Sequence, residues 1–126
     1  MNTHNQDSSA ITRVLEHGYF RGIYEGDISV LGAAFHPDAL LFGDIKGKPY
    51  AKTLEQYLDG VANRQSPRDS GRSFKGTIIS VDVINSIAVA KVNLKMYEFN
   101  YYDLLSFHNI DGRWVIVNKM LTDVEE

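Results

Sequence analysis

A chain of 126 residues is long enough to bury one hydrophobic core and too short for two domains of ordinary size. Its formal net charge of −3, with basic residues scattered along the chain, excludes the electropositive footprint of a nucleic-acid-binding domain. The absence of cysteine excludes disulfides, thiolate catalysis and cysteine-ligated metals. A polar N-terminus without a signal peptide and without any membrane-length apolar run predicts a cytoplasmic protein with no membrane partner.

The N-terminal part of the chain carries helix signals. Asp7, Ser8 or Ser9 can cap a first helix, along which apolar residues recur at three-and-four spacing. Gly26 is expected to end that helix, and Asp27 can cap a short second one.

The second helix is predicted to run through Phe35, because Pro37 cannot continue it. The short apolar stretch from Ala39 to Phe42 then predicts a strand. Thr53 and Gln56 have the spacing of a capping box, which opens a third helix.

After a polar loop over residues 64–72, the hydrophobic pattern changes to a period of two from Phe74 onward. Three two-residue turns, at Asn85-Ser86, Phe99-Asn100 and Asp111-Gly112, would fold this region into a four-stranded antiparallel meander.

Counting outward from these turns gives cross-strand partners, and partners share one face of the sheet. One face then collects Ile79, Val81, Val83, Ala88, Ala90, Val92, Leu94, Met96, Leu105, Phe107, Trp114, Ile116 and Met120. The other face collects Ser80, Asp82, Lys91, Asn93, Lys95, Ser106, His108 and Lys119. A register slip of one residue would mix the two sets, so their separation favours this register.

In this register Asp103 lies on the apolar face between Met96 and Met120, with Asn118 nearby and Lys119 on the opposite face. A carboxylate in an apolar setting is so costly that its pKa rises and it tends to keep its proton. Asp103 is therefore a candidate functional acid. The alternative is that it lies in solvent at the open end of the strand, or accepts a bond from a helix backbone amide.

Three helices before this meander, with Gly26-Asp27 opening the second helix and the FHPDA segment closing it, resemble the nuclear transport factor 2-like (NTF2-like) superfamily over residues 8–122. The segments FHPDALL, YYDLLSF and DGRWVIVNK are most similar to its group named Putative lumazine-binding. The resemblance implies an α+β, cystatin-like roll in which three N-terminal helices pack on a curved, mostly antiparallel sheet. We expect one such domain over residues 7–126, after a disordered segment at residues 1–6.

The superfamily also includes ketosteroid isomerases, SnoaL-like cyclases, dehydratases and non-catalytic association domains. In a comparison with the ketosteroid isomerases, Tyr19 and Asp103 resemble the two residues that donate hydrogen bonds in the oxyanion hole. The resemblance of Asp103 lies in the Asp-apolar-apolar-x-Phe pattern that it begins. The position of the general base, aligned on the FHPDA segment, falls on Gly43. The neighbouring Asp44 would point to the other side of a strand. The resemblance thus implies two donors to one oxygen and no evident base.

We expect a pocket between the first helix and the concave sheet that binds a small, mostly apolar molecule through an oxygen, with Tyr19 and Asp103 as anchors and with no metal or cofactor. Further predicted pocket residues are Phe42, Tyr57, Met96, Phe107, Trp114 and Asn118, although a core position is the competing interpretation of Trp114. Two alternatives remain. One is an isomerase, cyclase or dehydratase whose catalytic residues are Tyr19, Asp103 and either Asp44 or Asp38. The other is a dimerisation domain that acts through the outer face of the sheet, the surface that the resemblance implies for a homodimer.

Overall fold

The computed structural model describes residues 3–125, with side chains described from residue 6 onward. The first helix begins at Thr3, earlier than the predicted cap at Asp7, Ser8 or Ser9, and runs without a break through residue 25. Of the segment predicted to be disordered, residues 1 and 2 lie outside the described part of the chain. The helix has three continuous segments, which are the α-helical Thr3–Arg13, the π-helical Val14–Phe20 and the α-helical Arg21–Glu25. Between residues 3 and 125, no helix has the length and apolar character needed to cross a membrane.

One stripe of the first helix faces the core. Its members are four residues apart, so they stack along one side of the helix, and each is no more than 1% exposed: Ile11, Leu15, Tyr19 and Ile23. Gly22 lies so close to the second helix that an added Cβ would be 2.7 Å from the Cβ of Leu31. This close approach explains a glycine in the middle of a helix, where it costs about 1 kcal/mol relative to alanine.

The second helix, Ile28–Ala33, is capped as predicted, because the Asp27 carboxylate accepts bonds from the backbone N–H groups of Ser29 and Val30, both at 3.1 Å. It ends earlier than predicted. Phe35 already begins the first strand, β1 (Phe35–Ile45), and Pro37 lies inside that strand rather than after the helix.

The third helix, Leu54–Ala62, opens with the predicted capping box, in which Thr53 and Gln56 bond reciprocally. Its buried face carries Leu54, Tyr57 and Val61. The loop predicted over residues 64–72 contains a short helical turn, Pro67–Ser70.

The sheet has six strands in the order β2-β1-β6-β5-β4-β3. The pairing of β1 with β6 is parallel and every other pairing is antiparallel. The strands after β1 are β2 (Lys48–Thr53), β3 (Phe74–Ile84), β4 (Ile87–Met96), β5 (Phe99–Ile110) and β6 (Arg113–Asp123). Three helices packed on this mixed sheet confirm the predicted α+β class, although the sequence did not indicate β2.

The predicted turns at Asn85-Ser86 and Asp111-Gly112 are confirmed, but the predicted position of the middle turn is wrong. It lies at Tyr97-Glu98 rather than at Phe99-Asn100, so Val92 pairs with Asp103. The partners on β5 are thereby displaced by an even number of residues, and the side chains of β5 keep their predicted faces.

Because of bulges in β3 and β6, four residues lie on the opposite face from the one predicted: Ile79, Asn118, Lys119 and Met120. In β3, the extra residue Ile79 is 48% exposed rather than buried. In β6, Phe107 pairs with Ile116 while Ser106 pairs with Asn118, which leaves Val117 without a partner residue. From this Val117 bulge onward the faces of β6 are exchanged.

The consequence is that Lys119 turns into the interior, only 4% exposed, whereas Met120 turns outward and is 50% exposed. Both predictions for these residues were wrong. The reason is that the bulge changes the parity of the strand, which a count from the turn cannot include.

Candidate functional site

A cavity of about 350 Å³ lies between the third helix, β2 and the helix-covered face of the sheet. Its apolar lining comes from Ile23, Ile45, Val61, Leu94, Met96 and Leu121. Three tyrosines add both ring faces and hydroxyl groups: Tyr50, Tyr57 and Tyr101. The charged residues of the lining are Lys52, Asp59, Arg64 and Lys119. Such a combination, an apolar wall with a few polar groups, is typical of small-molecule sites.

Lys119 places a buried ammonium group against this cavity. Its Nζ donates to the Tyr57 hydroxyl at 3.4 Å. The same nitrogen lies 4.6 Å from the ring centre of Tyr57 and 5.0 Å from that of Tyr19, within the range of cation–π attraction. The amine is therefore enclosed between two aromatic rings from two different helices.

The pKa of Lys119 is set by opposing effects. Burial lowers it, since a desolvated ammonium is costly, but Tyr57, Asp103 and Tyr50 together raise it above its ordinary value. We conclude that the amine keeps its proton at neutral pH and acts as a cation rather than as a nucleophile.

Behind Lys119, Tyr19 and Asp103 form a buried pair. The Tyr19 hydroxyl donates to Oδ2 of Asp103 at 2.5 Å, and Asp103 is 1% exposed. Asp103 Oδ1 has no hydrogen-bond partner within the described part of the chain. Tyr19 belongs to the π-helical segment of the first helix, a form of helix that is frequent at functional sites.

Burial raises the pKa of Asp103, while the charge of Lys119 and the bond from Tyr19 act in the opposite direction. Burial and the charge of Asp103 raise the pKa of Tyr19 well above its ordinary value. The two side chains bond to each other, and neither belongs to the lining of the cavity. The expected arrangement, with both as free donors toward one cavity oxygen, is not the arrangement found.

Of the other predicted pocket residues, Tyr57 and Met96 line the cavity. Phe42, Phe107, Trp114 and Asn118 do not. Phe42 is 44% exposed, and Phe107 is in the core. The indole of Trp114 donates to Asp7 at 3.3 Å, and the amide of Asn118 donates to the Leu40 carbonyl at 3.3 Å.

The carboxylates considered as general bases lie outside the cavity lining. A Cβ on Gly43 would stand 1.7 Å from the Leu121 carbonyl oxygen, so the base position implied by the isomerase resemblance has no room for any side chain. Asp44 instead accepts a bond from the Thr122 hydroxyl at 2.5 Å. Asp38 is exposed, and its backbone N–H donates to the His36 ring at 3.0 Å.

Sequence reasoning missed Lys119, the most unusual member of the lining, and also Tyr50, Lys52 and Arg64. A signal for Lys119 was present. The four residues Trp114 to Val117 are all apolar, and an unbroken apolar run in a strand that otherwise alternates is a place where a bulge can lie.

Comparison with known proteins places this architecture among relatives. Residues 6–122 match the profile of a family described as Putative lumazine-binding. Among characterised relatives, the chain is 27% identical over 104 residues to a protein named Aldolase FrzH from Cladobotryum sp, an alignment that covers 81% of this chain and 80% of the relative.

Solved structures of the same shape include an NTF2-like protein of unknown function from Shewanella baltica OS155, with a TM-score of 0.87 and 23% identity over all of both chains. Another, from Methylobacillus flagellatus KT, has a TM-score of 0.85 and 26% identity over 95% of this chain and 94% of the other. A protein with a cystatin-like fold from Nostoc punctiforme has a TM-score of 0.73 and 14% identity over 96% and 93% of the two chains. These similarities establish the fold.

Proposed function

We propose, from the premise that this chain belongs to the Putative lumazine-binding family, that it binds a small, mostly apolar molecule in the cavity beside Lys119. An oxygen of the ligand would accept a hydrogen bond from the Lys119 ammonium group. The observation that carries the proposal is a buried cation that borders a cavity of about 350 Å³, a volume at the lower end of small-molecule sites.

The lining suits a flat ring. Tyr50, Tyr57 and Tyr101 offer aromatic faces against which a planar ligand can stack, and the apolar residues surround its edge. Lumazine itself, the molecule in the family's name, is a flat bicyclic ring with two carbonyl oxygens and so has the required shape and acceptors.

Tyr19 and Asp103, which the sequence suggested as direct anchors, have an indirect role in this proposal. The ring of Tyr19 lies under the Lys119 ammonium group, and the charge of Asp103 raises the pKa of that amine. Together they would keep the cation in place and protonated, so that Lys119 makes the contact with the ligand.

Titration of the protein with lumazine, followed by calorimetry, tests the proposal. For about twelve non-hydrogen atoms at about 0.5 kcal/mol each, the expected dissociation constant is on the order of tens of micromolar. Gly60 lines the cavity, and an added Cβ there meets nothing within 4 Å, so a side chain can begin at this position and the ring of Gly60→Phe can narrow the cavity. Gly60→Ala is the matched control. Equal affinity in both variants, or no binding of lumazine at millimolar concentration, would contradict the proposal.

An enzyme that acts on a carbonyl compound is the second candidate, since a relative is named an aldolase and a buried ammonium group can stabilise the oxygen of an enolate. Asp59 is the carboxylate in the described lining that could serve as a base, because Asp44 and Asp38 lie elsewhere. Deuterium exchange at the α-carbon of cyclohexanone, measured by NMR in D2O, tests this candidate. Exchange that the protein accelerates and Lys119→Met abolishes would support it, and equal rates with and without protein would remove it.

We also propose that the outer face of the sheet forms a homodimer. Phe42, Met120 and Leu104 are cross-strand neighbours on β1, β6 and β5, and all three are between 44% and 50% exposed. A row of apolar side chains in such a position is typical of a protein interface. Sedimentation of the wild type and of Leu104→Glu tests this, with Arg13→Glu, an exposed residue of the first helix on the other side of the sheet, as the control. A wild-type monomer at micromolar concentration would contradict it.

Cytoplasmic location stays a prediction that cell fractionation can test.

A further inference from the structure

The charge of the cavity differs from that of the whole chain. Three cationic residues and one acidic residue line it, whereas the chain carries a formal net charge of −3. The acid, Asp59, already accepts a bond from the side chain of Asn63 at 3.2 Å. The lining therefore carries a net positive charge, and such a charge raises the local density of anions.

Two of the cations, Lys52 and Arg64, are exposed at the cavity, where Lys52 lies 6.0 Å from the ring centre of Tyr50 and Arg64 lies 5.9 Å from that of Tyr97. The third, Lys119, lies in the interior. An exposed cation on a cavity wall is weak evidence for an anionic ligand, because water screens it. The buried cation is stronger evidence, since the desolvation of an ammonium group costs several kcal/mol unless it is compensated.

The described groups that face Lys119 leave part of the hydrogen-bonding capacity of its ammonium group, which has three donors, unused. Tyr19 of the first helix and Tyr57 of the third helix contribute ring faces, and the Tyr57 hydroxyl contributes one hydrogen bond of 3.4 Å. Asp103 of β5 is the acid among the neighbours that influence the amine. Its Oδ2 already accepts a bond from Tyr19, and within the described residues it forms neither a hydrogen bond nor a close ion pair with Lys119.

We infer that the ligand binds in an anionic form, with its negatively charged oxygen at the Lys119 ammonium group and the rest of a flat ring between the cavity tyrosines. This inference rests on the proposed function, because it assigns a charge to the ligand of the same cavity. The chemical class is an organic acid on a planar ring, either a carboxylate or an ionised ring hydroxyl. Lys52 and Arg64 assist by attracting the anion, and Lys119 makes the buried contact.

The test uses 4-nitrophenol, which ionises near neutral pH and whose anion alone absorbs strongly in the visible. When the protein is added at a pH where the free compound is mostly protonated, we expect the anion band to appear. The apparent pKa of the bound compound should therefore be lower than that of the free compound. A bound compound with the spectrum of the neutral phenol would overturn the inference and leave the proposed function intact. Benzoate and its neutral counterpart benzamide extend the test to carboxylates, with benzoate expected to bind more tightly.

The neutral compound 4-nitroanisole separates this inference from the proposed function. Lys119→Met should weaken 4-nitrophenol binding by about 10- to 100-fold and change 4-nitroanisole binding little. Lys91→Met, which removes an exposed lysine on β4, is the matched control and should change neither. Equal losses for both compounds in Lys119→Met would overturn the inference. Failure of both compounds to bind the wild type would count against the cavity as a ligand site and thus against the proposed function as well. The spectral test on the wild type does not depend on the folding of any variant.

Discussion

Replacing Tyr19 by phenylalanine isolates what its hydroxyl group does for Asp103. The hydroxyl donates to Oδ2 at 2.5 Å, and Oδ1 has no partner within the described residues, so the variant leaves both oxygens of a buried acid without a hydrogen bond. The bond from Tyr19 lowers the pKa of Asp103, which burial has raised. Removal of the hydroxyl must therefore raise this pKa further.

The magnitude follows from the charge of the acceptor. A hydrogen bond to an ionised group contributes about 1.5–3 kcal/mol to stability, and one between neutral groups about 0.5–1.5 kcal/mol. A carboxyl group whose pKa is raised on folding destabilises the protein progressively as pH rises from its unfolded pKa to its folded pKa. Tyr19→Phe should accordingly cost about 1.5–3 kcal/mol at a pH where Asp103 is ionised, and about 1 kcal/mol less at a lower pH where Asp103 is protonated.

Urea unfolding followed by circular dichroism at both pH values measures this difference, and carbon-13 NMR of the Asp103 carboxyl group measures its pKa directly. The control is Tyr97→Phe, which removes a hydroxyl that donates to the backbone carbonyl of Gln65 rather than to a carboxylate. Its cost should be the same at both pH values. A pH-independent cost for Tyr19→Phe, or an unchanged pKa of Asp103, would refute this account of the pair.

The remaining predictions concern three glycines. Gly22→Ala should destabilise the protein by about 1–2 kcal/mol, because its Cβ would lie 2.7 Å from that of Leu31 and the overpacking outweighs the gain in helix propensity. Gly60→Ala, also in a helix but with open space at the new Cβ, should stabilise by up to about 1 kcal/mol, and urea unfolding that shifts both in one direction would contradict the argument. Gly43→Ala should cost about 3 kcal/mol or more, since its Cβ would collide with the Leu121 carbonyl oxygen and disturb the pairing of β1 with β6. A thermal midpoint within about 5 °C of the wild type would show that this collision is relieved cheaply.

Local chemistry made much of the fold predictable. Asp27 and Thr53 indicate where helices begin, because their side chains accept hydrogen bonds from the free backbone N–H groups of the first turn. This local signal can be read without knowledge of the rest of the chain. The wrongly placed turn near Tyr97 did little harm, since an even displacement keeps each side chain on its face. Burial of Asp103 followed from the same parity.

The candidate site was less predictable, because its key residue depends on a bulge. A strand pattern specifies faces only while the alternation continues, and the apolar run that ends at Val117 hides the point where it changes. The hydrogen bond between Tyr19 and Asp103 joins residues 84 positions apart, so no local pattern indicates that the two donors bond to each other. Likewise, the collision that Gly43 avoids involves a neighbouring strand.

The bulge at Val117 also bears on how relatives of this chain can vary in length. Because Val117 has no partner on β5, a deletion of its codon would leave Lys119 opposite Leu105 and Leu121 opposite Asp103, as they are now. A deletion two positions later would instead move every following side chain to the other surface of the sheet. Gaps in alignments of this family should therefore occur most often at this point of the last strand, because a deletion there leaves the residues that line the ligand cavity in place.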